Sequence, residues 1–511
     1  MSSNTDPIGT VISDEETPTF EAVRIKLKAG QDVKPGTLVG VPMSRNNINS
    51  TLIGRIRSAY EHNPNEGPED VTFRDAMETP SNYPTEEDST TIYRLVEAEL
   101  IEEITDQGIQ SPQTLPQSGA QVFIANDDEI VQTLGLVKKE SIGLKIGETI
   151  AGTMTKIILK REAIQRHLFL CGTTGSGKSY AMGVIAEELI KKHKLPVIFI
   201  DTQDEYSTLV EKLGGEVLTP GKDFNIRISS LTDRELINLV PTDSDLHQNI
   251  ITAAFMELQD ELKAQQREKF LIKDLVDKVE EVAPQLTKRT DSQQLARMRT
   301  EFLERQDIFG EGIERANWPK LMLPCISINC KHLASNRLQT VATALLRELQ
   351  DLRLRGFIPP YVAVIDEAHL FVPEGEGSPC KQIIREGVRI GRHHGIAMVL
   401  MTQSPVDIDK RVIRQCNTRL VFALELDQLD AIRGVRSDAS EEMLRNLPKM
   451  PQGTCLLSGT YESVKHAIPV KIRERETEDS EGGETPKIFE EMREKWIPEI
   501  TRLKQGGIND T

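Results

Sequence analysis

The chain has 511 residues, enough for two or three domains, and carries 62 lysines and arginines against 79 aspartates and glutamates, a formal net charge of −17. That balance excludes a uniformly basic nucleic-acid coat, although a local basic face would still bind phosphates. No apolar run reaches the roughly 18 residues of a membrane span, and the start MSSNTDPIGT lacks a basic-then-apolar signal, so a soluble cytoplasmic protein with no membrane partner is expected.

Residues 1–18 are expected to form a flexible N-terminus, and 19–150 read as short β segments, among them EAVRIKLKAG, TLVGVPM, LIGRIRSAY, TIYRLVEAELI and AQVFIAN. Short strands separated by Gly, Pro and Asn indicate a small β-barrel. The polar, Pro-rich stretch over 61–90 is expected to be a long exposed loop. From about Arg166, apolar strands alternate with helices, the pattern of a parallel α/β sheet. HLFLCG, PVIFID, YVAVID, GIAMVLMTQ and RLVFALE read as its buried strands. The expected core spans 151–242 and 319–475, interrupted by a charged helical insertion over 243–318. A linker and an amphipathic segment containing Trp496 fill 476–511. The six cysteines are scattered with no C-x-x-C pair, so buried reduced thiols are expected rather than a zinc site.

GTTGSGKS matches G-x-x-x-x-G-K-[ST] between a strand and a helix. In that context the backbone amides of Gly172, Thr173, Thr174, Gly175, Ser176 and Gly177, with the helix N-terminus, cradle phosphates. Lys178 is expected on the β- and γ-phosphates of ATP and Ser179 on Mg²⁺, with Tyr180 following in the same cradle. YVAVIDEAH then supplies the acidic strand end, with Asp366 as Mg²⁺ partner, Glu367 polarising the attacking water, and His369 as structural. Gln403, ending VLMTQSP, is expected to sense the γ-phosphate, and Asp201 and Glu205 in FIDTQDEYS to join the same site.

Other P-loop classes fit less well. LSGT at Leu457 lies about 90 residues downstream of the acidic strand, on the wrong side for a transporter signature. Only 145 residues follow Asp366, too few for the second lobe of a DEAH-type helicase. A small-metabolite kinase would need neither the barrel nor the insertion. A single lobe must borrow its second catalytic surface from a neighbour, which predicts a ring.

The ordered set RHLFLCGTTGSGKS, FIDTQDEYS, VIDEAHLFVP, REGVRIGRHHGIAMVLMTQSP, VIRQCNTRLVFALE and LPKMPQGTCLLSGTYESVKHAIPVKIR resembles the HerA branch of the HerA/FtsK hexameric ATPases. GTVISDEETPTFEAVRIKL and LIGRI are similar to that family's N-terminal HAS-barrel. The resemblance implies a RecA-like P-loop core and a homohexamer that drives double-stranded DNA through its pore. It also implies a partner: a NurA-like nuclease in DNA repair, or a sirtuin-like or other nuclease effector in antiphage defence. Where relatives commonly read REGRKYGIGL, this chain reads REGVRIGRHHGIAM. Aligning Gly395-Ile396 puts Arg392 at the family's arginine finger, with Arg389 as the alternative because of the extra residues, and Arg166 at a second family arginine. His393 and His394 have no third ligand nearby in sequence and do not read as a metal site. Lys331 and Arg337 are candidates for lining the pore. A ring-shaped scaffold that assembles and regulates a toxic effector is the alternative to a motor.

Overall fold

The computed structural model describes residues 6–13, 17–45, 48–62, 93–242, 244–265, 269–314, 317–375, 378–433, 439–460 and 463–477. Beyond His62 the expected polar loop lies outside these residues, as does the segment around Trp496.

The N-terminal strands are β1 (Gly9–Ile12), β2 (Ala22–Leu27), β3 (Leu38–Arg45), β4 (Ile48–His62), β5 (Tyr93–Thr105), β6 (Gly108–Gln110) and β7 (Gln121–Ile124). They run in the order β2-β1-β7-β3-β4-β5-β6, and β2 also pairs with β5, which closes six antiparallel strands into a barrel. Closure removes the exposed edges that such short strands would otherwise present. Alternating side chains, among them Val23, Ile25, Val39, Val41, Leu52 and Val96, fill the interior. Helix α1 (Asp127–Leu134) follows, capped by Asn126 and Glu129 in a reciprocal box.

Two boundaries differ from expectation. Strand β1 falls inside the stretch expected to be flexible, and it is ordered because Val11 is buried between β2 and β7. Strands β8 (Gly143–Thr149) and β9 (Lys156–Lys160) belong to the core sheet rather than the barrel, because Leu144, Ile146, Ile157 and Leu159 pack into the core's apolar cluster.

The core strands are β10 (Leu168–Cys171), β11 (Val197–Asp201), β12 (Glu216–Leu218), β13 (Cys325–Asn329), β14 (Tyr361–Ile365), β15 (Ile396–Thr402), β16 (Thr418–Val421), β17 (Thr454–Gly459) and β18 (Ile468–Ile472). With β8 and β9 they form one sheet in the order β12-β13-β11-β14-β15-β10-β16-β17-β18-β8-β9, parallel from β12 to β16 and antiparallel beyond. Every residue of β10, β11, β14, β15 and β16 is buried, as the uninterrupted apolar runs require of strands covered on both faces.

Helix α2 (Lys178–Glu187) covers one face. The other is covered by α3 (Asp245–Ala264), α4 (Ile272–Leu286), α5 (Thr290–Glu301), α6 (Ser335–Leu354) and α7 (Pro379–His394). The helices α3 to α5 have no core of their own. Ile250, Phe255, Leu275 and Ala296 join the same cluster as the sheet residues Ile198 and Ile326. The barrel is tied to the core where Arg55 Nη1 donates to the Ala467 carbonyl at 2.9 Å and His466 Nε2 lies 2.9 Å from Glu102 Oε1. Among the described residues, no helix is long and apolar enough to cross a membrane.

Candidate functional site

The sheet order assembles the site. β15 lies between the phosphate-loop strand β10 and the acidic strand β14, so three strand ends deliver their side chains to one edge. This is the crevice beyond the carboxyl ends of parallel strands, where α/β sheets bind ligands.

The loop from Gly172 to Ser179 connects β10 to α2. Thr173 N donates to the Ala423 carbonyl at 2.7 Å and Ser176 Oγ to the Thr173 carbonyl at 2.7 Å, which hold the loop curled over the helix N-terminus. Gly177 adopts φ 109°, and a Cβ there would stand 3.1 Å from the Gly453 backbone, so both conformation and space demand glycine. Lys178 Nζ donates to the carbonyls of Gly172 at 2.8 Å and Thr173 at 3.1 Å, which holds the ammonium within the loop. Tyr180 Oη accepts from Arg475 N at 2.8 Å and so ties the first turn of α2 to the chain after β18.

Opposite the loop stand four carboxylates. Asp366 follows β14 and is buried, and Thr202 Oγ1 donates to its Oδ2 at 3.2 Å. Burial, and then the charges of Glu367, Glu205 and Asp201, push the Asp366 carboxyl up to about 8. The Tyr206 hydroxyl is also pushed up, by burial first and then by Asp366, Glu205 and Asp201. Ser179 Oγ donates to Glu205. A buried carboxyl raised by neighbouring carboxylates, beside a serine hydroxyl at a helix N-terminus, fits a hard divalent cation, which would bind oxygens and offset their repulsion. Asp366 and Ser179 are the groups that would hold Mg²⁺.

Glu367 and Gln403 face each other across β14 and β15. Gln403 N donates to Glu367 Oε2 at 3.4 Å, and Gln403 Oε1 accepts from Thr174 Oγ1 at 2.8 Å. The amide therefore joins the phosphate loop to the acidic strand end.

Asp201 departs from its expected place. Its Oδ1 accepts from the backbone amides of Gln203, Asp204 and Glu205, and its Oδ2 from Tyr206 N at 2.9 Å. Its carboxylate is fully buried and turned into its own loop, where it presents Glu205 rather than itself to the site. Thr202 and Tyr206, which lie within FIDTQDEYS but are not among the residues expected at the site, are neighbours of it. Only the parallel pairing of β11 with β14 brings them against Asp366.

The arginines lie elsewhere. Arg166 precedes β10 and Arg392 ends α7 just before β15, so both stand at the amino edge of the sheet, opposite the phosphate loop. They are neighbours: burial, and then the Arg392 guanidinium, hold Arg166 below the usual arginine value. Arg389 and Arg392 are exposed, whereas Arg385 is paired with Asp409. His393 and His394 are exposed. Lys331 and Arg337 flank the turn from β13 into α6, at the same edge as the phosphate loop. All six cysteines are free and buried.

Residues 144–349 match the family model described as helicase HerA, central domain, and residues 359–473 match an AAA-like domain. A probable helicase of Methanocaldococcus jannaschii is 24% identical over 508 residues, covering 93% of this chain and 94% of its own. The DNA double-strand break repair helicase HerA of Sulfolobus acidocaldarius is 21% identical over 418 residues, 77% of this chain and 81% of its own. Among solved structures, VirB4 of Thermoanaerobacter pseudethanolicus shares the fold, with a TM-score of 0.55 and 15% identity over 66% of this chain and 98% of that one.

Proposed function

We propose that the chain is a HerA-type ATPase, as its match to the HerA central domain and its resemblance to HerA helicases over most of its length support, and that it is a motor that couples ATP hydrolysis to movement of double-stranded DNA through a ring of identical subunits. The observation that carries the ring is the position of Arg166 and Arg392 at the sheet edge opposite their own phosphate loop. A finger cation at that edge serves ATP only on the partner subunit, and a head-to-tail interface repeated around an axis closes a ring.

In this reading Lys178 neutralises charge on the β- and γ-phosphates while the loop amides hold the triphosphate. Glu367 accepts a proton from the attacking water, and the Gln403 amide aligns that water and the γ-phosphate. Ser179 and Asp366 would hold Mg²⁺, which would supply positive charge against the phosphates. Arg392 of the partner subunit meets the charge that develops on the transferring phosphoryl group, a task suited to a planar cation that cannot lose its proton. In this reading Lys331 and Arg337, at the same edge as the loop, line the pore and contact the DNA backbone. A NurA-like nuclease, or an antiphage effector of the sirtuin-like or nuclease type, is the partner such a motor would serve.

The test is ATP hydrolysis with and without duplex DNA over a salt series, together with the mass of the assembly by light scattering. DNA stimulation that falls steeply with salt, in a particle of six chains, is expected. The net charge of −17 favours a second reading, a scaffold whose outer faces meet a protein effector. ATP-insensitive DNA affinity with tight effector binding would support that reading instead.

A further inference from the structure

Glu367 is held by groups that phosphate binding does not require. After β14 the chain turns with Glu367 at φ 47°, a left-handed conformation that costs a non-glycine residue about 1 kcal/mol or more. It then enters the short turn Ala368–Leu370. That turn carries His369 back over its own acidic neighbour: Nδ1 lies 3.2 Å from Glu367 Oε2 and 3.1 Å from Thr402 Oγ1. While Glu367 is ionised, as a general base must be, its carboxylate can only accept. Nδ1 therefore carries the proton and is shared between the carboxylate and the threonine hydroxyl.

The contacts form a connected set. The same Glu367 Oε2 accepts from Gln403 N, and the Gln403 side chain accepts from Thr174 of the phosphate loop. Thr402 ends β15, and its carbonyl accepts from Gly172 N at 3.3 Å. The histidine turn is itself anchored, because Gln339 Nε2 of α6 donates to the Leu370 carbonyl at 2.7 Å.

We propose that His369 is a positioning residue for hydrolysis: it fixes Glu367 against the end of β15, so that the base and the Gln403 amide keep one geometry relative to the phosphate loop. The proposal rests on the ATPase reading above and deepens it. It differs from a packing role, because only the donor at the Nδ1 position matters and nucleotide binding does not depend on it.

The experiment compares the full-length chain with His369→Ala and His369→Asn, measuring kcat and KM for ATP without DNA and with it. Asn places an amide donor close to where Nδ1 lies. Displacing a general base by about an ångström costs on the order of 100-fold. His369→Ala is therefore expected to lower kcat about 10- to 100-fold with KM within about twofold, and His369→Asn to recover most of the loss. A thermal melt of each variant accompanies the rates. Unchanged kcat in His369→Ala overturns the proposal, as does a loss that Asn fails to recover in a protein that melts like the parent. If the parent hydrolyses ATP but DNA does not stimulate it, the motor reading falls, while the His369 comparison is still decided on the basal rate.

Discussion

Replacing Arg392 by alanine gives the sharpest test of the ring. Arg392 ends α7, and the seven residues of β15 separate it from Gln403 at the catalytic edge. Seven residues of strand span about 23 Å at ~3.3 Å each, several times the reach of an arginine side chain. The residue therefore cannot serve its own ATP. Loss of a finger arginine lowers turnover by about 10³- to 10⁵-fold, or roughly 4–7 kcal/mol of transition-state stabilisation at 1.36 kcal/mol per decade. Arg392→Ala should then be inactive in steady-state hydrolysis while it still binds a fluorescent ATP analogue and assembles like the parent. Mixing it with the equally inactive Glu367→Gln chain separates cis from trans. In randomly mixed rings, about one interface in four pairs an intact Glu367 with an intact Arg392 of the partner subunit, so activity should reappear at up to about a quarter of the parent rate. Full turnover in Arg392→Ala alone, or no recovery in rings shown to contain both chains, refutes the reasoning. The same pair of measurements on Arg389→Ala decides between the two exposed arginines of α7.

Lys178→Ala removes the ammonium from the loop, and ATP affinity measured by fluorescence titration should weaken on the order of 100-fold. Glu367→Gln should lower kcat by about 10²- to 10⁴-fold and leave ATP affinity within a few-fold, so that radiolabelled ATP is retained unhydrolysed on the protein. The buried His167 supplies a pH dependence that is independent of catalysis. Burial depresses its pKa to about 4, and Nδ1 accepts from Met398 N at 3.0 Å, so the folded state holds it neutral. The unfolded chain binds the extra proton below about 6.5. Stability should therefore be full above that pH and fall as the pH drops towards 4, by at most about 3 kcal/mol for this group. A melting series from pH 7 to 4 should show a shallower decline in His167→Asn than in the parent, and parallel curves would refute the assignment.

The phosphate loop, the acidic pair and the glutamine strand are legible in the sequence because each depends on contiguous residues. A phosphate cradle needs glycines next to a helix N-terminus, and a covered parallel strand needs an unbroken apolar run, as in YVAVI and IAMVLMT. Strand β13 is harder to read, since CISIN carries a polar Ser327 and follows the insertion directly. What no local pattern specifies is which strands become neighbours. The β2–β5 pairing that closes the barrel, and the transfer of β8 and β9 to the core sheet, follow from which apolar faces find cover at long range. The same holds for Asp201. Its position at a strand end matches that of Asp366, but its oxygens are satisfied by four amides of its own loop, and only the folded turn decides that Glu205 faces the site. The basic cluster at the end of α7 shows the division most plainly. In the sequence Arg392 is singled out only by the family resemblance, through its alignment on Gly395-Ile396, whereas the tertiary structure decides which edge it occupies: parallel pairing of β10 and β15 puts Arg166 and Arg392, just before those strands, on the edge away from the phosphate loop.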